Sequence, residues 1–175
     1  MKYALLPLFT TMILLPVTLL ADVQTAAEQN MSVQATVTVK ATPEAAWEHL
    51  LKIGTWWSGD HTWSGDAKNL TLNAVPGGGF DESLPGNGFV RHMQVIYSAP
   101  GKKLRMTGLL GPLQEHALQG TMTISLKSEG DKTTILTTYN VAGHFPGGLE
   151  KLAPLVDQVI TEQFTRLEKR IDGTP

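Results

Sequence analysis

The stretch GLEKLAPLVDQVITEQFTRLEKRI, residues 148–171, decides how the rest of the chain must fold. Its apolar residues Leu149, Leu152, Val156, Val159, Ile160, Phe164, Leu167 and Ile171 recur at intervals of three and four, which places them on one stripe of an α-helix. Glu150, Lys151, Asp157, Glu162, Arg166, Glu168 and Lys169 occupy the other face and suit water. Acids lead and bases follow, the order a helix dipole favours. Pro154 lacks a backbone donor, so the spacing predicts either a kink there or a short turn feeding a longer helix that starts near Pro154. A helix of about 20 residues spans about 30 Å, enough to lie across a whole small sheet.

The segments upstream supply such a sheet. Ser32–Lys40 alternates strictly, with Val33, Ala35, Val37 and Val39 on one face, and reads as a half-buried strand. Thr42-Pro43-Glu44 opens a helix, with Thr42 as N-cap and Pro43 at its first position. That helix is expected to run to about Ile53, with Ala46, Leu50 and Ile53 inward, Trp47 beside them, and Gly54 as its stop. Thr55–Ala67, which holds Trp56, Trp57 and Trp63, reads as a short helix running into a loop.

Strands are expected at Asn69–Val75, Phe80–Leu84, Phe89–Tyr97, Lys103–Leu109, Leu118–Lys127 and Thr133–Val141, divided by glycine- and proline-containing turns. Their hairpin-sized connections imply antiparallel pairing, and a run of strands closed by a helix implies an α+β fold. The predicted architecture is a curved antiparallel sheet of about six or seven strands around the long C-terminal helix. The space between sheet and helix is either filled by side chains or open to a ligand.

At the N-terminus, Lys2 precedes an apolar run from Tyr3 to Ala21 and then the small residues Thr25, Ala26 and Ala27. This is the pattern of a secretory signal peptide over residues 1–27, with cleavage after Ala21 or Ala27. A retained anchor is the alternative, since the run is just long enough to span a bilayer. Pro7 and Pro16 favour cleavage. Asp22–Asn30 then reads as a disordered leader, and residues 28–175 as a single secreted, periplasmic domain with no stable membrane anchor.

The chain has no cysteine, which excludes disulfides, thiolate metal sites and a cysteine nucleophile. The net charge is −2 with scattered bases, so no nucleic-acid footprint is present. No G-x-S-x-G or phosphate-loop motif occurs, and Gly77-Gly78-Gly79 reads as a hairpin turn. His61, His92, His116 and His144 lack the spacing of a local metal site, so neither a metal nor a cofactor is expected.

The chain resembles the helix-grip fold of the START/Bet v 1-like (SRPBCC) superfamily, and within it bacterial polyketide cyclase/dehydrase-type and Hsp90-ATPase-activator-homologue-like proteins. The resemblance rests on VTVKATPEAAWEHL (Val37–Leu50), Trp56-Trp57, HTWSGDAKNLTL (His61–Leu72) and the glycine turn before Phe80. YSAPGKKLRMTG (Tyr97–Gly108), GPLQ (Gly111–Gln114) and the closing helix extend it over Ser32–Ile171. The superfamily includes lipid carriers, receptors and cyclases, and no catalytic motif transfers residue by residue.

The fold so implied suggests a cavity, and the residues suggest its walls. Trp63, Met93, Met106, Met122, Tyr139, Val156, Ile160 and Phe164 are expected to supply apolar surface. His61, Glu82 and Arg91 are expected to orient a polar group, Arg91 reaching the interior if the Phe89–Tyr97 strand turns Phe89, Arg91, Met93, Val95 and Tyr97 inward. A bulge would reverse that face. Trp56 and Trp57 read as a plug at the end of the sheet. The expected function is binding of a small hydrophobic or amphipathic molecule, by a monomer or dimer. The alternatives are an acid–base enzyme using His61 or His92 with an orienting carboxylate, Asp60 or Glu82, and an interaction module with a filled core.

Overall fold

A computed structural model describes residues 22–173. The apolar run of the expected signal peptide, up to Ala21, lies outside the described residues. Asp22–Asn30 is not a disordered leader. It begins with a strand, β1 (Asp22–Ala27), that turns at Glu28-Gln29 and pairs antiparallel with β2 (Asn30–Val39). The expectation failed because DVQTAA shows no apolar alternation: β1 is an edge strand with both faces largely wet, held by backbone pairing rather than burial.

Helix α1 (Pro43–Leu51) follows, with the Thr42 hydroxyl accepting from Ala45 N at 3.3 Å. It ends at Leu51, before the expected Ile53, and Ile53–Thr55 forms a separate 3₁₀ turn. Gly54 is required by close approach rather than as a stop: a Cβ there would lie 2.8 Å from Ala67 O. The tryptophan segment contains no α-helix; further 3₁₀ turns cover Gly59–His61 and Ala67–Asn69.

The remaining strands are β3 (Leu70–Leu72), β4 (Gly79–Leu84), β5 (Gly88–Ala99), β6 (Lys103–Gly108), β7 (Leu118–Glu129) and β8 (Lys132–Gly143). They form one antiparallel eight-stranded sheet in the order β1-β2-β8-β7-β6-β5-β4-β3, one or two strands more than the sequence suggests. The pairing of β2 with β8 brings the first long strand beside the last. The inward faces read from alternation hold: Val33, Ala35, Val37 and Val39 of β2, Met122 and Ile124 of β7, and Ile135, Tyr139 and Val141 of β8 are all buried.

Helix α2 (Ala153–Asp172) lies on the concave face and packs chiefly on β2. It has no kink. Pro154 sits in its first turn, where its missing donor costs nothing, and a short 3₁₀ turn at Leu149–Lys151 leads in. Gly173 closes it in the left-handed conformation, φ 70°. Burial along its apolar stripe is uneven. Ile160, Phe164 and Leu167 are fully buried, whereas Leu152, Val156 and Val159 are only half-buried. The first half of the helix therefore borders open space on part of its apolar face, although Leu152 and Val156 also touch the core.

Candidate functional site

That open space is a cavity of about 390 Å³ between the sheet, the start of α2 and three connecting segments. Val156, Val159 and Ile160 of α2 form one wall, Phe80, His92 and Tyr139 of the sheet another. The tryptophan segment contributes Trp57 and Asp60–Trp63. The stretch from Leu110 to His116, which includes the 3₁₀ turn Gly111–Glu115, and Phe145 close the remaining sides.

The tryptophan segment is pinned between helix and sheet. Arg166 Nε donates to Trp56 O at 2.9 Å, Ser58 N donates to Gln163 Oε1 at 2.7 Å, and His61 Nε2 meets Glu162 Oε2 at 3.2 Å. Thus three α2 side chains hold one irregular loop. Trp56 is buried against Phe164, with ring centroids 5.7 Å apart, and donates to Leu50 O; it is the plug expected from sequence. Trp57 is buried too, but it also forms cavity wall and stacks edge-on against Phe80 at 5.3 Å. Trp63 remains 48% exposed at the cavity edge.

Beneath the loop sits Glu82, fully buried on β4. Its carboxylate accepts from Trp63 N at 3.1 Å, from Ser64 N at 2.5 Å, and faces His92 Nε2 at 3.0 Å. Burial alone would raise the pKa of this carboxyl. The Ser64, Trp63 and His92 hydrogen bonds outweigh that and hold it below the ordinary carboxylate value. His92 moves the other way from its usual value. Burial lowers its pKa and prevails over the favourable pull of Glu82 and Asp81.

Both shifts make acid destabilising. Between the folded pKa and the ordinary histidine value of 6.5, the unfolded chain holds the proton that buried His92 refuses. The same holds for Glu82 below the ordinary value of 4.5. Stability therefore rises with pH through each window, and falls as pH drops below 6.5 and again below 4.5. Urea unfolding of wild type and His92→Gln should show this, with the variant losing less stability between pH 7 and 5. Equal slopes would assign that window to other histidines.

Arg91 corrects the sequence reading. It points outward and forms a two-pronged pair with Asp81, at 2.8 and 2.9 Å, not with Glu82. The reason is a bulge. Phe80 pairs with Met93 and Asp81 with Arg91, so His92 has no partner on β4 and the inward face changes parity there. His92 and Met93 are consecutive and both buried, whereas Phe89 is 73% and Tyr97 49% exposed. A second irregularity, between Val95 and Tyr97, turns Ile96 and Tyr97 both outward.

Of the other expected wall residues, His61, Trp63, Tyr139, Val156 and Ile160 line the cavity, as does His92. Met93, Met106, Met122 and Phe164 do not; they are buried in the packed core. Met106 and Met122 are cross-strand partners, and tight curling presses such side chains against one another. Tyr139 is buried and its hydroxyl oxygen accepts from Leu110 N at 3.2 Å, with burial raising its pKa. Sequence reasoning missed Phe80, Leu113, His116 and Phe145. His116 stacks edge-on with Phe145 at 4.6 Å, a contact between two loops that carries no periodic signal. His61, His92 and His116 share the cavity, yet among the described residues no three acidic or histidine side chains converge to hold a metal.

Residues 30–172 match the family described as "Polyketide cyclase / dehydrase and lipid transport". Solved structures share the fold at low identity. CalU16 from Micromonospora echinospora superposes with a TM-score of 0.60 at 14% identity, covering 90% of this chain and 86% of that one. The Enterococcus faecalis protein EF2215, of unknown function, gives 0.58 at 14%, covering 89% and 77%. The Aha1 dimer from Colwellia psychrerythraea gives 0.54 at 15%, covering 82% and 97%. No curated protein matches the sequence.

Proposed function

Because the chain belongs to the polyketide cyclase/dehydrase and lipid transport family, we propose that its cavity binds a small hydrophobic or amphipathic molecule, a lipid, polyketide-like or aromatic compound. The observation that carries this is the cavity itself, about 390 Å³ in volume and walled mainly by aromatic and aliphatic side chains. Sites for small molecules hold about 300–1,000 Å³ and combine apolar walls with few polar groups. The half-buried apolar stripe at the start of α2 supports the same reading, since Leu152, Val156 and Val159 line the cavity and are only partly covered by protein. Affinity would come from covering that surface, roughly 25 cal/mol per Å² before association costs.

Acid–base catalysis in the same cavity ranks second. Glu82 supplies the orienting carboxylate for His92 that this reading requires, while His61 engages Glu162 at the rim. Binding ranks first because the cavity walls are mainly apolar.

We also propose export, with the leader removed after Ala21. Cleavage after Ala27 would delete β1 and expose the edge of β2 that it covers. One experiment tests both proposals: native mass spectrometry of the protein from its own cells, before and after denaturation. A mass excess that vanishes on denaturation, and a polypeptide beginning at Asp22, are the expected results. Val156→Trp, which fills the cavity from α2, should lose the excess while staying folded. A bare wild-type mass, together with no binding of N-phenyl-1-naphthylamine, would overturn the binding reading; a chain beginning at Glu28 would overturn the cleavage site.

A further inference from the structure

We propose that Nδ1 of His92 is the hydrogen-bond acceptor by which the cavity selects a neutral apolar ligand bearing a hydroxyl group, phenolic, enolic or alcoholic. The proposal rests on the cavity-binding reading and adds to it the chemical class of the ligand.

The proton on the Glu82–His92 bond fixes the tautomer of the ring. The Glu82 carboxylate accepts two backbone N–H groups as well as facing His92 Nε2. A carboxylate so surrounded is ionised and acceptor-only, so the proton on the third bond must come from the imidazole. Neutral His92 is therefore the Nε2–H tautomer, and Nδ1 carries the lone pair. Its lowered pKa agrees with a neutral ring.

Nδ1 is buried and has no partner in the protein. Buried polar atoms are nearly always paired, and an unpaired one calls for an account. Here the ring is 5% exposed and forms part of the cavity wall. Its placement is built, not incidental. The bulge in β5 exists at this residue alone on the β4 side. On the other side Gly108, at φ +143°, lets β6 come so close that a Cβ would collide with the His92 carbonyl. The Phe80 ring, 4.7 Å away, fixes the imidazole plane.

The charges nearby decide which donor fits. Glu82 sits directly behind the ring, and Asp81 adds its field from the outer face. Together they disfavour an anionic ligand such as a carboxylate at Nδ1. A neutral O–H donor meets the lone pair without that repulsion, and its remaining carbon skeleton meets the apolar walls.

Three probes of similar shape separate the possibilities: 2-naphthol, 2-methoxynaphthalene and 2-naphthoate, titrated by tryptophan quenching. Wild type should bind 2-naphthol roughly tenfold more tightly than 2-methoxynaphthalene, the size of one well-placed hydrogen bond, and 2-naphthoate most weakly. His92→Gln keeps an amide donor for Glu82 but offers nothing at the Nδ1 position. It should bind the naphthol and the ether equally. In ¹⁵N-labelled wild type, the unprotonated His92 Nδ1 resonance should move upfield with 2-naphthol and stay put with 2-methoxynaphthalene, a readout that does not depend on the variant folding. Equal affinity for naphthol and ether in wild type, or an unmoved Nδ1 resonance, would overturn the acceptor role and leave the cavity reading intact. Binding of no probe would overturn both.

Discussion

Glu82→Ala is expected to destabilise the protein by about 3–5 kcal/mol, because the donors that share this one buried acceptor are all left unpaired when it is removed. Three donors lose their acceptor together: Trp63 N, Ser64 N and His92 Nε2. Each buried donor left unpaired costs about 1–3 kcal/mol, and the exposed position of Trp63 lets water recover part of that. The loop is also freed at its sheet end, so residues Trp63–Asp66 should become the first site of limited proteolysis. Glu82→Gln keeps the shape and one acceptor oxygen, and should cost clearly less. Urea unfolding of the three proteins reads the difference. A loss under about 1 kcal/mol for Glu82→Ala would mean that the carboxylate is not the anchor its contacts suggest.

Phe164→Ala should be as damaging for a different reason. Phe164 is 1% exposed and packs against Trp56, which in turn meets Trp57. Truncating a buried phenylalanine costs about 3–5 kcal/mol through lost transfer energy and the void left behind. Against a total stability of about 5–15 kcal/mol, that brings the domain close to unfolding. The effect should fall on stability rather than on ligand affinity, because Phe164 is packed in the core and is not part of the cavity wall. At a temperature where the variant remains folded, its affinity for N-phenyl-1-naphthylamine should match wild type. A variant of unchanged thermal stability that bound the probe poorly would return Phe164 to the cavity.

The bulge at His92 shows how much of the site depends on a single register event. With unbroken alternation, Arg91 would enter the interior and His92 would face water. The extra residue reverses this, giving the interior a neutral imidazole in place of a fixed cation. The group turned inward thereby changes from an anion-pairing guanidinium to an imidazole with an unpartnered nitrogen.

The sequence by itself determined the elements whose signal is periodic. The stripe Leu149–Ile171 specified the closing helix, and the alternation in β2, β7 and β8 specified which residues face it, because a buried face must repeat with the geometry of its element. Thr42-Pro43 placed the start of α1 through capping chemistry that is local to a few residues. Only the tertiary structure decided the rest. β1 has no apolar pattern and exists through backbone pairing to β2. The bulge that turns Arg91 out and His92 in reflects pairing with both neighbouring strands, which no single strand encodes. The partition of the inward residues into packed core, as for Met93, Met106, Met122 and Phe164, and cavity wall, as for Tyr139, Val156 and Ile160, depends on how far the sheet curls towards the helix. Curvature sums small twists over eight strands, and that sum is a property of the assembled sheet rather than of any stretch of chain.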